Sequence, residues 1–122
     1  MTTKVLVVDD SVVSRKMLIR SLPKEWDISI AQAVDGKDAI EKYHQGLAEV
    51  MFLDLTMPEM DGYQVLEVLQ KEGLDTFVIV VTADIQPEAE ERVKKLGAMP
   101  FVKKPVNMEK LLPILKEYGI YE

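Results

Sequence analysis

A chain of 122 residues has room for one ordinary domain around a single core, and 48% hydrophobic with 30% charged residues is the balance of a globular rather than a disordered protein. A net charge of −6 excludes general binding to nucleic acid or to an anionic membrane, both of which need a basic face. With no cysteine there are no disulfides, thiol catalysis or thiolate metal sites, and with no membrane-length apolar run and no cleavable leader in MTTKVLVVDD the expected location is the cytoplasm.

Along the chain, apolar runs alternate with segments of helical period. The first run is Lys4 to Asp9 (KVLVVD), followed by a helix that Pro23 closes. The second, Ile28 to Val34 (ISIAQAV), contains the polar Ser29 and Gln32 and precedes a helix ending near Gly46. The third, Val50 to Asp54 (VMFLD), leads into the turn-rich LTMPEMDG and a helix ending near Gly73. The fourth, Phe77 to Thr82 (FVIVVT), precedes a helix whose apolar stripe is Ala89, Val93 and Leu96, whose exposed face pairs Glu90 with Lys94 and Glu91 with Lys95, and which Gly97 stops. The fifth run, Met99 to Lys103 (MPFVK), leads to a helix with Met108, Leu111, Leu112 and Leu115 on one stripe and Gly119 at its end. Pro113 interrupts that stripe, which predicts a kink or a late helix start.

Strands separated by helices predict an α/β fold, a doubly wound (βα)5 arrangement with a five-stranded parallel sheet covered on both faces. Runs one, three and four are continuously apolar and belong inside. The polar residues of run two and Pro100 of run five, which cannot donate to a central ladder, put those strands at the edges. This is compatible with the flavodoxin-like order 2-1-3-4-5. Residues 1–122 read as one domain with no output domain.

Ligands of open α/β sheets bind at the carboxyl ends of the strands, near the point where strand order reverses. The polar residues at those ends here are Asp9 and Asp10 after strand one, Asp54 after strand three, Thr82 after strand four, and Lys104 with Pro105 after strand five. Acids converging on one crevice repel one another and call for a cation. Three aspartates and one lysine leave a formal charge of −2, which one divalent ion neutralises. Oxygen-only ligands select a hard ion; Mg2+ fits a site that leaves positions open for water or phosphate, and Mn2+ can replace it. A carboxylate beside such an ion can attack a phosphoryl donor to give an acyl phosphate, and Asp54, alone at its strand end, suits that role. Thr82 offers a hydroxyl and Lys104 a point charge to the phosphate.

With VLVVDDS, LDLTMPEMDG, Thr82-Ala83 and Lys104-Pro105 in order, each at its strand end, the whole chain resembles the receiver domains of two-component response regulators, the stand-alone chemotaxis type in particular. The resemblance implies a signalling module rather than an enzyme, one that assists its own phosphorylation and dephosphorylation. Asp54 would be the phosphoacceptor, Asp10 and Asp54 direct metal ligands, Asp9 a ligand through water, and Thr56 a ligand through its carbonyl. Thr82, the Ala83 backbone and Lys104 would hold the phosphate, Lys104-Pro105 would be a cis peptide aiming the lysine inward, and Thr82 with Phe101 would form the switch. Implied partners are a histidine kinase as donor, a phosphatase, and a protein target at the helix 4, strand 5, helix 5 face, with Lys103, Met108 and Tyr118 to Tyr121 as candidate contacts. Asp84, two residues beyond Thr82, is expected to influence hydrolysis of the acyl phosphate by orienting or repelling water.

Taken singly, each of these residues has a plainer explanation: an aspartate after a strand caps helices or turns, a threonine suits a strand end, and a lysine is solvated. Convergence of acids and a lysine at one edge is what packing does not explain. His44, on the second helix far from any strand end, reads as an exposed side chain and not a phosphoryl donor; Trp26 reads as a staple on the helix, and Met57, Met60 and Met99 as site rim or core. Two rivals fit less well. A haloacid-dehalogenase-like phosphatase needs D-x-D after strand one, where this chain has Asp10-Ser11-Val12. A flavodoxin-like nucleotide binder needs an anion-friendly loop where this chain has two acids, and there is neither a P-loop nor G-x-G-x-x-G.

Overall fold

The computed structural model describes residues 2–73, 75–83, 87–97 and 101–121. Strands and helices alternate as β1 (Thr3–Val8), α1 (Val12–Arg20), β2 (Ile28–Ala33), α2 (Gly36–His44), β3 (Val50–Leu53), α3 (Gly62–Lys71), β4 (Phe77–Thr82), α4 (Pro87–Lys95), β5 (Phe101–Lys103) and α5 (Met108–Glu117). All pairings are parallel and the strand order is β2-β1-β3-β4-β5, with β2 and β5 at the edges, as the polar residues of run two and the proline of run five predict.

Why the inner strands read as unbroken apolar runs follows from period-two alternation on a sheet covered on both sides. Leu6, Val8, Met51, Leu53, Val78 and Val80 face one core, which the apolar stripes of α2, α3 and α4 complete through Ala39, Val65, Leu69 and Val93. Val5, Val7, Val50, Phe52, Ile79, Val81 and Val102 face the other, completed by Leu18 and Leu22 near α1 and by Leu111 and Leu115 of α5. Full burial of side chains such as these contributes roughly 1.5–3 kcal/mol each, which pins the register.

Helix starts follow sequence chemistry. Ser11, Asp35, Asp61 and Asn107 cap α1, α2, α3 and α5 with side-chain oxygens that accept N3 amides, and Asp61 with Gln64 forms a reciprocal capping box. Gly46, Gly73, Gly97 and Gly119 follow α2 to α5 with positive φ, the left-handed exit the sequence predicts. At Pro113 the late start does not occur: α5 begins at Met108 and runs through the proline, whose ring sits on the exposed side while Leu111 and Leu115 are buried. Trp26 does more than cover a helix, since its ring meets Tyr121 edge-on at 6.0 Å and fastens the end of the chain to the second core. Met57 is buried and Met60 packs partly buried against the first core, so both are packing residues; Met99 and Pro100 lie outside the described residues.

Candidate functional site

Three positions of like parity generate the site. Val5, Val7 and Asp9 alternate onto the α1/α5 side of the sheet, as do Val50, Phe52 and Asp54, and Val102 and Lys104. The register sets Val7 beside Phe52 and Val81 beside Val102, and the ladder continues past the strand ends through Asp54 N–H to the Val8 carbonyl (3.1 Å) and Lys104 N–H to the Thr82 carbonyl (2.8 Å). Asp9, Asp54 and Lys104 therefore emerge together at the carboxyl edge, where strand order reverses between β1 and β3.

The side chains meet as that placement requires. Lys104 Nζ lies 2.7 Å from Asp9 Oδ2 and 3.6 Å from Asp54 Oδ1. Asp9 and Asp54 are buried while Asp10 is exposed, and carboxylate oxygens of all three fall within 4.8 Å of one another. Asp9 is fixed further by the Ser11 amide, which donates to Oδ1 at 2.9 Å, and the Thr56 amide approaches Asp54 Oδ1 at 3.4 Å. Oxygen donors at this spacing, with more negative than positive charge, fit a hard divalent cation.

Asp54 carries the electrostatic signature of the site. Burial first, and then the Asp9 charge, push its pKa from 3.8 up to about 6; Lys104 and the Thr56 amide pull it back, and Asp10 adds a smaller push. Under the carboxylates lies an apolar cavity of about 260 Å3, walled in part by Val7, Phe52, Val81, Leu18 and Val106. Asp9, Asp54 and Lys104 border the same cavity.

The remaining expected residues fall around this centre. Thr82 is fully buried at the end of β4, on the sheet side opposite Asp9 and Asp54 by parity, and Ala83 beyond it is exposed. Phe101 is partly buried against the first core. The Lys104–Pro105 bond is cis, as expected. Asp84 lies outside the described residues. His44 is exposed at the end of α2, paired with Glu72 at 2.6 Å and away from the site.

Three contributors were missed by sequence reasoning. Arg15 is buried and donates Nη1 to the Asp9 carbonyl at 2.7 Å; its signal was a charge standing on the apolar stripe of Leu18 and Leu22. Lys110 holds the loop after β5 by donating to the Pro105 and Lys103 carbonyls at 2.7 and 3.1 Å, for which the sequence offers no sign. Gly62 allows α3 to begin against the site loop: a Cβ there would stand 2.5 Å from the Asp54 carbonyl oxygen, so the glycine of the DG pair is a close-approach residue.

Comparison with known proteins agrees with this geometry. The response regulator receiver domain family matches residues 5–116. The chemotaxis protein CheY of Listeria monocytogenes is 33% identical over 115 residues, 93% of this chain and 96% of that protein. A protein-glutamate methylesterase/protein-glutamine glutaminase of Koribacter versatilis is 44% identical over 84% of this chain, and the match spans only 29% of that longer protein. Among solved structures, CheY4 of Vibrio cholerae superposes with a TM-score of 0.82 at 29% identity, covering 96% of this chain and 98% of that one. The CheX-CheY-BeF3-Mg complex of Borrelia burgdorferi gives 0.84 at 31%, covering 95% and 89%. With five parallel strands in the order β2-β1-β3-β4-β5 and an acidic cluster at their carboxyl edge, the chain belongs to the response regulator receiver domains, phosphorylation-dependent signalling switches.

Proposed function

We propose that Asp54 accepts a phosphoryl group from a histidine kinase and that the chain signals, in chemotaxis or a related two-component pathway, through altered protein binding. The observation that carries this reading is the convergence of Lys104 Nζ on both Asp9 (2.7 Å) and Asp54 (3.6 Å) beside the exposed Asp10. Mg2+ would be held by Asp10 and Asp54 directly, by Asp9 through water and by the Thr56 carbonyl, with Mn2+ as a substitute. When bound, the ion supplies positive charge for the oxygens of the transferring phosphoryl group.

The chain's own residues supply the rest. At neutral pH the Asp54 carboxyl, at about 6, is mostly ionised. One of its oxygens attacks phosphorus in line, the bond from phosphorus to the donor breaks, and the donor leaves with the electron pair. Lys104, held to Asp9 in the unphosphorylated chain, has a second acceptor in the new phosphoryl oxygens, and the Thr82 hydroxyl and Ala83 amide bind the others. Reorientation of Thr82 and inward turning of Phe101 would shift the population toward a form with a different α4, β5, α5 surface. Lys103, Met108 and the tail from Tyr118 to Tyr121 lie on or beside that surface, and Met108 and Tyr118 are exposed. The chain then acts as a signalling module that assists its own phosphoryl transfer and hydrolysis, with a further protein as phosphatase.

Intact-mass spectrometry after incubation with Mg2+ and a small phosphoryl donor tests the reading. A single adduct is expected that needs Mg2+ and is absent from Asp54→Asn. An adduct that survives the substitution contradicts it.

A further inference from the structure

We infer that Arg15 is a positioning residue of the metal site, stitching β1 to β2 beyond the end of their ladder and so fixing the peptide from which Asp10 departs. This rests on the reading of Asp9 and Asp10 as metal-holding residues.

Arg15 is only 8% exposed, and none of the ion pairs among the described residues includes it. A guanidinium is costly to bury unless its donors are used. Its Nη1 donates to the Asp9 carbonyl at 2.7 Å and its Nε to Gln32 Oε1 at 2.8 Å. The backbone ladder between these strands ends with the Asp9 N–H on the Ala33 carbonyl at 3.1 Å. The Asp9 carbonyl points past that last rung, and the guanidinium takes the place of the missing backbone donor. Gln32 is a firm anchor, being the register partner of Val7 and accepting the Lys42 amine of α2 at its main-chain carbonyl.

The Asp9 carbonyl belongs to the same planar peptide as the Asp10 amide, so holding it sets the direction in which the Asp10 side chain leaves the chain. Little else does so, because no hydrogen bond or ion pair among the described residues holds the Asp10 carboxylate, whereas Asp9 is tied by both Ser11 and Lys104. Two divergent donors on one rigid plane are what arginine offers and lysine does not.

Calorimetric titration of the full chain with MgCl2 tests this, using native protein, Arg15→Met, Arg15→Lys, Gln32→Ala and Asp10→Asn, with metal-free melting curves for each. Removing an outer partner of a metal ligand commonly weakens the metal about 10- to 100-fold, and Arg15→Met is expected to raise the Mg2+ Kd at least about tenfold. Arg15→Lys should fall between Met and native, and Gln32→Ala, at an exposed edge position, should weaken Mg2+ while melting like native. Should Arg15→Met fail to fold, the Lys and Ala variants decide. Native-like Mg2+ affinity in Arg15→Lys or Gln32→Ala overturns the inference. Native-like affinity in Asp10→Asn, which leaves Arg15 intact, overturns the metal reading itself and this inference with it.

Discussion

The site costs the fold stability in the absence of metal, and the cost has a definite pH dependence. In the native chain Asp54 titrates at about 6 against an ordinary 3.8, first because it is buried and then because Asp9 is charged beside it. Between those values the native chain keeps a proton that the unfolded chain has lost, so stability falls as pH rises through that window and the full cost is present above it. A shift of about 2 units at roughly 1.4 kcal/mol per unit makes the cost about 3 kcal/mol. Asp54→Asn abolishes the titration. In EDTA at about pH 7.5 the variant should gain up to about 3 kcal/mol, a melting-temperature rise of roughly 10 °C for a domain of this size. Near pH 4 and below, where the native carboxyl is protonated, the two should converge. Mg2+ at neutral pH should stabilise the native chain and barely affect the variant. Urea denaturation of both chains across this range, with and without Mg2+, measures the difference. A gap that does not change with pH, or a native chain more stable than Asp54→Asn in EDTA at neutral pH, would refute the reasoning.

Lys104→Met removes the amine that faces Asp54 and Asp9; phosphoryl uptake from a small donor should slow by about 100-fold, read by timed mass spectrometry. In the same variant the metal-free Asp54 pKa should rise further, because Lys104 is one of the influences lowering it. Gly62→Ala pushes a methyl group to within 2.5 Å of the Asp54 carbonyl oxygen and 2.8 Å of Leu55 Cα, which should cost roughly 1–3 kcal/mol in urea denaturation and slow phosphoryl uptake as the loop shifts. Glu59 stands at φ 65 in a three-residue turn closed by the Met60 amide on the Pro58 carbonyl at 2.8 Å, a strained form for a residue with a Cβ. Glu59→Gly should therefore gain about 1 kcal/mol with Mg2+ affinity unchanged, and a loss of stability would show that the turn is not strained.

Fold and site were legible to different depths. Strand order followed from composition because a strand covered on both faces cannot carry Ser29 or Gln32 at no cost, whereas the edge strand β2 does so with most of its residues only partly buried or exposed. The central trio was legible too, since Asp9, Asp54 and Lys104 each follow an apolar run and continue its parity onto one side. Hidden from sequence were contacts that depend on three-dimensional approach. Nothing in Arg15 alone reveals that its guanidinium substitutes for a strand rung, and nothing in Lys110 reveals that it reaches two carbonyls of the preceding loop. Of the two outcomes Pro113 predicted, the late start does not occur, because the ring lies on the exposed side of α5 while Leu111 and Leu115 secure the other side to the core.

The most direct test of the account is a crystal of the chain soaked in Mn2+, with the ion located by its anomalous signal. A single peak is predicted at the carboxyl edge of β1 and β3, in direct contact with carboxylate oxygens of Asp10 and Asp54. A map with no peak there, or with the ion on acids elsewhere while these carboxylates stay unliganded, would contradict the account.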